Sequence, residues 1–202
     1  MQILSVLLYL GCLNQLWRAG PMHPKAYLLI GIAAMFCTST RYESLFLLTV
    51  SCALLLFRGR FAASLTIGTA GALGLLVPGL YSVWHGGHFL PVSVLLKKNV
   101  PESFSPSSLI AFFHGAINTA STQPYVVLLM IAVLAGCLYA QRAEGTFWNR
   151  HTATGVVWIA ACCLHILFAR FGWVFRYEAY LIAGGFFLIT ESLAFFLGIR
   201  AI

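Results

Sequence analysis

The chain has 202 residues, of which 60% are hydrophobic and only 8% are charged, and its formal net charge is +7. A soluble domain has about a quarter of its residues charged, so this chain cannot cover a water-exposed surface and is predicted to be an integral membrane protein in contact with membrane lipids. Its Lys and Arg residues are scattered singly or in pairs, without the basic, aromatic-containing runs typical of nucleic-acid binding.

Seven apolar runs predict seven transmembrane helices. They cover approximately residues 1–17, 26–40, 43–57, 61–84, 124–140, 152–169 and 177–198. A straight span needs about 20 residues, so several of these helices are short. The runs lack the alternation of barrel strands, and we therefore expect an all-α polytopic helix bundle that forms a single domain over 1–202.

The distribution of Lys and Arg predicts the orientation of the bundle. One face has seven cationic residues in its connections and at the C-terminal end: Arg18, Lys25, Arg58, Arg60, Arg142, Arg150 and Arg200. The opposite face has five: Arg41, Lys97, Lys98, Arg170 and Arg176. Because cytoplasmic loops are enriched in Lys and Arg, we expect a multi-pass cell-membrane protein with an outward N-terminus and a cytoplasmic C-terminus.

An Arg-Tyr-Glu triad occurs twice between apolar runs, at 41–43 and at 176–178. Charged groups at membrane depth cost a few kcal/mol each, so they need a partner or a function. The first triad divides 26–57 into two predicted helices, and the alternative is one long, tilted helix with a buried Arg–Glu pair. In both cases we expect the first triad to be buried.

The longest polar stretch is the predicted outer loop at 85–123. Within it, Ser105 followed by Pro106 is typical of a helix start. The apolar residues after this start recur at helical spacing on one stripe: Leu109, Phe112, Phe113, Ala116 and Ile117. This pattern predicts a short helix that lies in the outer interface and does not span the membrane.

Three outer elements can converge on one pocket: the turn at 41–43, the loop at 85–98 and the segment 170–180. The predicted substrate-binding residues are Arg41, Tyr42, Glu43, Lys97, Lys98, Arg176, Tyr177, Glu178 and Tyr180. Cations and tyrosine hydroxyls suit an anionic headgroup, because Arg binds phosphate oxygens bidentately. The alternative is that the two Arg–Glu pairs only fix helix packing.

The spacing of His85 and His88 is compatible with metal chelation, so these two residues are candidate metal ligands. No carboxylate or Cys lies nearby to complete a site, and Gly86-Gly87 favours a hydrated turn. His165 lies in the middle of an apolar run and is predicted to be a hydrogen-bonded core histidine. The sequence indicates no cofactor.

Four segments resemble the later half of GT-C-type integral membrane glycosyltransferases, the group that includes protein mannosyltransferases and aminoarabinose transferases. They are 40–45 (TRYESL), 58–60 (RGR), 86–97 (GGHFLPVSVLLK) and 175–181 (FRYEAYL). The resemblance implies transfer of a sugar from a polyprenyl-phosphate donor on the extracytoplasmic face. It also implies that Lys97 and Arg176 contact the lipid phosphate and that Tyr177 lines the donor pocket.

Two features depart from the family pattern. Val92 stands where the family often has Asn, and the chain contains no Asp, the usual catalytic acid of an early outer loop in these enzymes. Glu43 is the candidate substitute base, although pairing with Arg41 would weaken it. We therefore expect the C-terminal part of a longer enzyme, with the chemical step dependent on an N-terminal part or subunit.

Two other functions are compatible with the sequence. Buried Arg–Glu triads and a glycine-rich, proline-containing helix at 61–84 suit a transporter or flippase-like subunit for an anionic lipid or solute. A non-catalytic accessory subunit that stabilises a partner is the third interpretation.

Overall fold

The computed structural model describes residues 1–17, 23–89, 105–146, 148–169 and 178–198. Within these ranges the chain forms eight α-helices and no strand, which confirms the all-α fold class. The helices are α1 (Gln2–Leu16), α2 (Pro24–Thr40), α3 (Ser44–Phe57), α4 (Phe61–Trp84), α5 (Pro106–Thr122), α6 (Pro124–Glu144), α7 (Arg150–Phe168) and α8 (Ala179–Phe196).

The first triad separates two helices, as predicted. Arg41 follows the last residue of α2 with an extended backbone (φ −159°, ψ 135°), and Glu43 immediately precedes α3. The alternative of one long helix over 26–57 is therefore excluded. Because the chain reverses here, the triad lies at a helix–helix turn.

Among the described residues, four helices are long and apolar enough to cross a membrane: α4, α6, α7 and α8. Helices α1 and α3 are apolar but have only 15 and 14 residues. At 1.5 Å per residue they rise about 21–22 Å, less than a hydrocarbon core of about 30 Å. The structure thus supports a membrane protein with four candidate spans, and the count of seven remains a prediction.

Helix α5 begins as its sequence indicates, since the Ser105 side chain accepts a hydrogen bond from the Ser108 backbone N–H and Pro106 occupies the first turn. Its buried stripe is narrower than expected. Ala116 is buried, and the Phe112 ring lies 5.7 Å from that of Phe168 at the end of α7. Phe113 and Ile117 are exposed, because α5 contacts the bundle along one edge only.

Helix α1 packs one of its faces into the bundle and contacts α2, α7 and α8. It therefore contributes several fully buried side chains, including Tyr9, Leu10 and Leu13. Helices α2 and α4 pack closely through small residues: the Thr38 hydroxyl donates to the Gly71 carbonyl at 2.9 Å. A Cβ atom at Gly74 would collide with the Met35 carbonyl of α2. The glycines of α4 thus permit backbone contact, as expected for membrane helices.

The bundle has two distinct ends. At one end, which we call the tryptophan end, the rings of Trp17 and Trp148 stack at 6.4 Å and the Arg58 guanidinium lies 5.4 Å from the Trp148 ring. At the other end, called the triad end, lie Arg41 and Glu43. Helices that follow one another in the chain from α1 to α4 run in opposite directions between these ends, so the packed pair α2 and α4 runs in the same direction.

The close approach of α2 and α4 predicts that Gly74→Ala destabilises the bundle by about 1–3 kcal/mol, because the new methyl group meets main-chain atoms that cannot move aside cheaply. Gly11→Ala is the matched control, since nothing lies within 4 Å of a Cβ atom there. That variant should be neutral or stabilised by up to about 1 kcal/mol through helix propensity. Thermal unfolding midpoints in detergent test both, and equal midpoints would contradict the packing argument.

Candidate functional site

The candidate site lies at the triad end, where four helix ends meet. Helix α2 ends and α3 begins on either side of the first triad, while α7 ends and α8 begins nearby. The Phe46 ring of α3 lies 6.2 Å from the His165 ring and 6.4 Å from the Phe168 ring. Through these contacts the fold brings the first triad beside Glu178, the last residue of the second.

A buried hydrogen bond lies at the centre of this site. The Tyr180 hydroxyl and Nδ1 of His165 are 2.9 Å apart, and both side chains are fully buried. This confirms the prediction that His165 is a hydrogen-bonded core residue. Tyr180 was expected to face a ligand, whereas its hydroxyl points into the bundle and is bonded to His165.

Charged groups surround this hydrogen-bonded pair. Arg41, Glu43 and Glu178 all act electrostatically on the Tyr180 hydroxyl, and Arg41 also acts on His165. Glu178 is only 1% exposed, whereas Arg41 and Glu43 are half-buried. A cation placed among two carboxylates reduces the cost of holding each charge away from water. Of the two carboxylates, Glu43 is the one that a ligand can reach.

Two tyrosines add hydroxyl groups near these charges. Tyr42 is half-buried, and burial raises the pKa of its phenol above the ordinary value of 10, so the hydroxyl stays protonated at neutral pH. Tyr125, in the first turn of α6, lies close enough to Glu178 for the carboxylate to act electrostatically on its phenol. Tyr125 was not among the site residues predicted from the sequence, although its place at the start of an apolar run was a usable signal.

Several predicted site residues lie outside the described part of the chain: Lys97, Lys98, Arg170, Arg176 and Tyr177. The convergence of the Lys97 loop and the Arg176 cation with the first triad is therefore still a prediction. What the structure brings together is Arg41, Glu43, Glu178 and Tyr180, with Tyr42 in the same turn.

The candidate metal ligands form a turn. His85 and His88 are exposed, and the His85 Nδ1 lies 2.9 Å from the Tyr81 carbonyl while its ring packs on that of Tyr81. Gly86 has a φ of 78°, which suits a glycine in a tight turn. Among the described residues no group of three His, Cys, Asp or Glu side chains could hold a metal ion. The geometry thus favours the hydrated turn.

An apolar groove leads away from the site along α1 and α2. It has a volume of about 290 Å³ and is lined by aliphatic and aromatic side chains that include Leu4, Leu8 and Ile32. Thr40, the last residue of α2, also lines it. Since Arg41 comes next in the chain, one end of the groove lies next to the charged turn.

Comparison of the chain with known protein families, curated proteins and solved structures finds no match.

The buried pair predicts that Tyr180→Phe destabilises the protein by about 1–3 kcal/mol, because it leaves a buried imidazole nitrogen without its hydroxyl partner. Tyr139→Phe is the control, since Tyr139 is 43% exposed on α6. Thermal unfolding in detergent measures both variants. If both variants have the same unfolding midpoint as the wild type, the hydrogen bond between Tyr180 and His165 does not stabilise the site.

Proposed function

We propose that this is a membrane glycosyltransferase-like protein whose triad end binds a polyprenyl-phosphate-linked sugar at the extracytoplasmic face. The observation that carries the proposal is the position of the half-buried Arg41 in the same turn as Glu43, directly after Thr40, which lines an apolar groove. A lipid-linked sugar has the matching parts: a hydrocarbon chain, a charged phosphate and a hydroxyl-rich head.

The phosphate of the donor would bind Arg41. A guanidinium forms paired hydrogen bonds with phosphate oxygens, and such charge-assisted bonds are about twice as strong as neutral ones. The protonated Tyr42 hydroxyl can donate to the same group. By the family resemblance, Lys97 and Arg176 would contact the same phosphate and Tyr177 would line the donor pocket.

The hydrocarbon chain would occupy the groove between α1 and α2. The groove is apolar along almost its whole length and meets the charged turn at Thr40. Burial of a hydrocarbon chain gives roughly 25 cal/mol for each Å² removed from water, while the surrounding lipid competes for the same contacts. The groove would therefore mainly orient the donor and add little to its affinity. Recognition of the donor would depend on the contact between Arg41 and the phosphate.

The two carboxylates have different roles in this proposal. Glu43 is half-buried and would accept hydrogen bonds from sugar hydroxyls, which makes it the candidate catalytic residue of the chain. Glu178 is buried beside the His165–Tyr180 pair and positions the helix ends. We assign no catalytic acid, because the sequence contains no Asp and Glu43 lies in the same turn as Arg41.

One observation favours a second function, a transporter or flippase-like subunit for an anionic lipid or solute. Asn14 of α1 donates a hydrogen bond to the Glu191 carboxylate of α8 at 3.1 Å, inside the apolar bundle. Ionisable groups in membrane helices often mark ion pathways. Movement of a labelled polyprenyl phosphate between liposome leaflets would support this function, and sugar transfer without movement would support the first.

The phosphate site predicts that Arg41→Gln weakens binding of a fluorescent polyprenyl phosphate in micelles by about tenfold or more, as expected for the loss of a charge-assisted hydrogen bond. Arg41→Lys should give an intermediate loss of affinity, because lysine keeps the positive charge but cannot form the paired hydrogen bonds of a guanidinium. Arg142→Gln, which removes an exposed cation near the opposite end, should bind as the wild type does. Unchanged binding in Arg41→Gln would favour the non-catalytic accessory subunit.

The assignment of the carboxylates predicts that the purified chain alone transfers no sugar from a polyprenyl-phosphate donor, while it still binds the donor. Radiolabelled sugar transfer to a hydroxyl acceptor measures this. Turnover that disappears in Glu43→Gln but persists in Glu144→Gln, an exposed carboxylate of α6, would overturn the prediction and identify Glu43 as the base.

A further inference from the structure

A second polar cluster lies inside the bundle, toward the tryptophan end. Its centre is the hydrogen bond from Nδ2 of Asn14 to the Glu191 carboxylate. Beside it is a cavity of about 10 Å³, lined by both of these residues and also by His151, Thr154 and Ser192. The cavity is separate from the triad end, and the proposed function does not use it.

One oxygen atom in this cluster has no hydrogen-bond partner within the described residues. Asn14 is 9% exposed, and because its Nδ2 faces the Glu191 carboxylate, its Oδ1 is left unpaired and buried. A buried polar atom without a partner costs about 1–3 kcal/mol. Glu191 needs compensation too, since a neutral amide does not balance its charge. A cation in the cavity would satisfy both groups.

Two hydroxyl groups of the cavity lining, those of Thr154 and Ser192, are available to it as acceptors. The Thr154 hydroxyl donates to the Arg150 carbonyl at 2.8 Å, and the Ser192 hydroxyl donates to the Leu188 carbonyl at 2.9 Å. With their hydrogen atoms used in this way, both oxygens have only lone pairs left for the cavity.

His151 does not bring a competing charge to the cavity wall. Its Nε2 accepts a hydrogen bond from Nε of Arg150 at 3.1 Å. A guanidinium nitrogen can only donate, so the imidazole must be the neutral tautomer with its proton on Nδ1. The lining of the cavity therefore has one formal charge from its own side chains, that of the Glu191 carboxylate.

We propose that this cavity is a Na⁺ site whose ligands are Asn14 Oδ1, the Glu191 carboxylate and the hydroxyl oxygens of Thr154 and Ser192. Hard cations prefer oxygen ligands of these kinds. The volume suits one occupant of about the size of a water molecule. A monovalent ion neutralises the single carboxylate, whereas a divalent ion would leave an uncompensated positive charge in an apolar bundle.

The site would connect α1 to the much later helices α7 and α8, because its ligands come from all three. An ion that binds the folded bundle and not the unfolded chain stabilises the fold in proportion to its occupancy. Sodium is therefore expected to raise the thermal stability of the whole protein, independently of any lipid or sugar at the triad end.

The experiment uses the full chain purified in detergent, with ²²Na⁺ binding and thermal unfolding measured in NaCl, KCl and choline chloride at equal ionic strength. We expect saturable ²²Na⁺ binding and a rise in the unfolding midpoint of about 2–4 °C in NaCl over choline chloride. Glu191→Gln should abolish both effects. Glu144→Gln, which neutralises an exposed carboxylate of α6, should leave both unchanged.

A milder variant keeps the proposal testable if Glu191→Gln folds poorly. Ser192→Ala removes one ligand oxygen from α8 and should weaken Na⁺ binding severalfold while the protein still folds. Equal unfolding midpoints in NaCl and choline chloride, with no saturable ²²Na⁺ binding, would show that the cavity holds water only and would overturn the proposal. Unchanged ²²Na⁺ binding in both Glu191→Gln and Ser192→Ala would also overturn the proposal.

Discussion

The arrangement of both polar sites depends on how the Trp158 ring is held between α7 and α8. Its indole N–H donates to the Leu181 carbonyl at 3.1 Å, and its ring fills the space that a side chain at Gly184 or Gly185 would need. This contact fixes how far α7 and α8 are shifted along each other and how each is rotated about its own axis. His165 follows Trp158 by two helical turns and Tyr180 precedes Leu181 by one residue, so the same contact places the imidazole opposite the phenol.

The charged groups of the triad end lie at helix ends and not in helix interiors. Arg41 follows α2, while Glu43 and Glu178 precede α3 and α8. A carboxylate before the first turn of a helix is favoured by the helix dipole, which offsets part of the cost of holding it away from water. The fold can thus collect charges in a half-buried turn without placing them against lipid.

Local signals in the sequence predicted the features that depend on neighbouring residues. These include the break between α2 and α3 at Arg41, the start of α5 at Ser105 and the core position of His165. The burial of Tyr180, the exposure of Phe113 and the pairing of Asn14 with Glu191 could not be predicted in this way. Each depends on which faces of distant helices meet, and an almost uniformly apolar helix does not show from its periodicity which face is buried.

The hydrogen bond between Asn14 and Glu191 joins residues 177 positions apart and so links the first helix to the last. During synthesis α1 is made before α8 exists, and the Asn14 amide then lacks its carboxylate partner. Final closure of the bundle is consequently a late, non-local step of biogenesis. Nascent chains arrested before α8 would expose this amide and the apolar face of α1, features that membrane quality control can recognise.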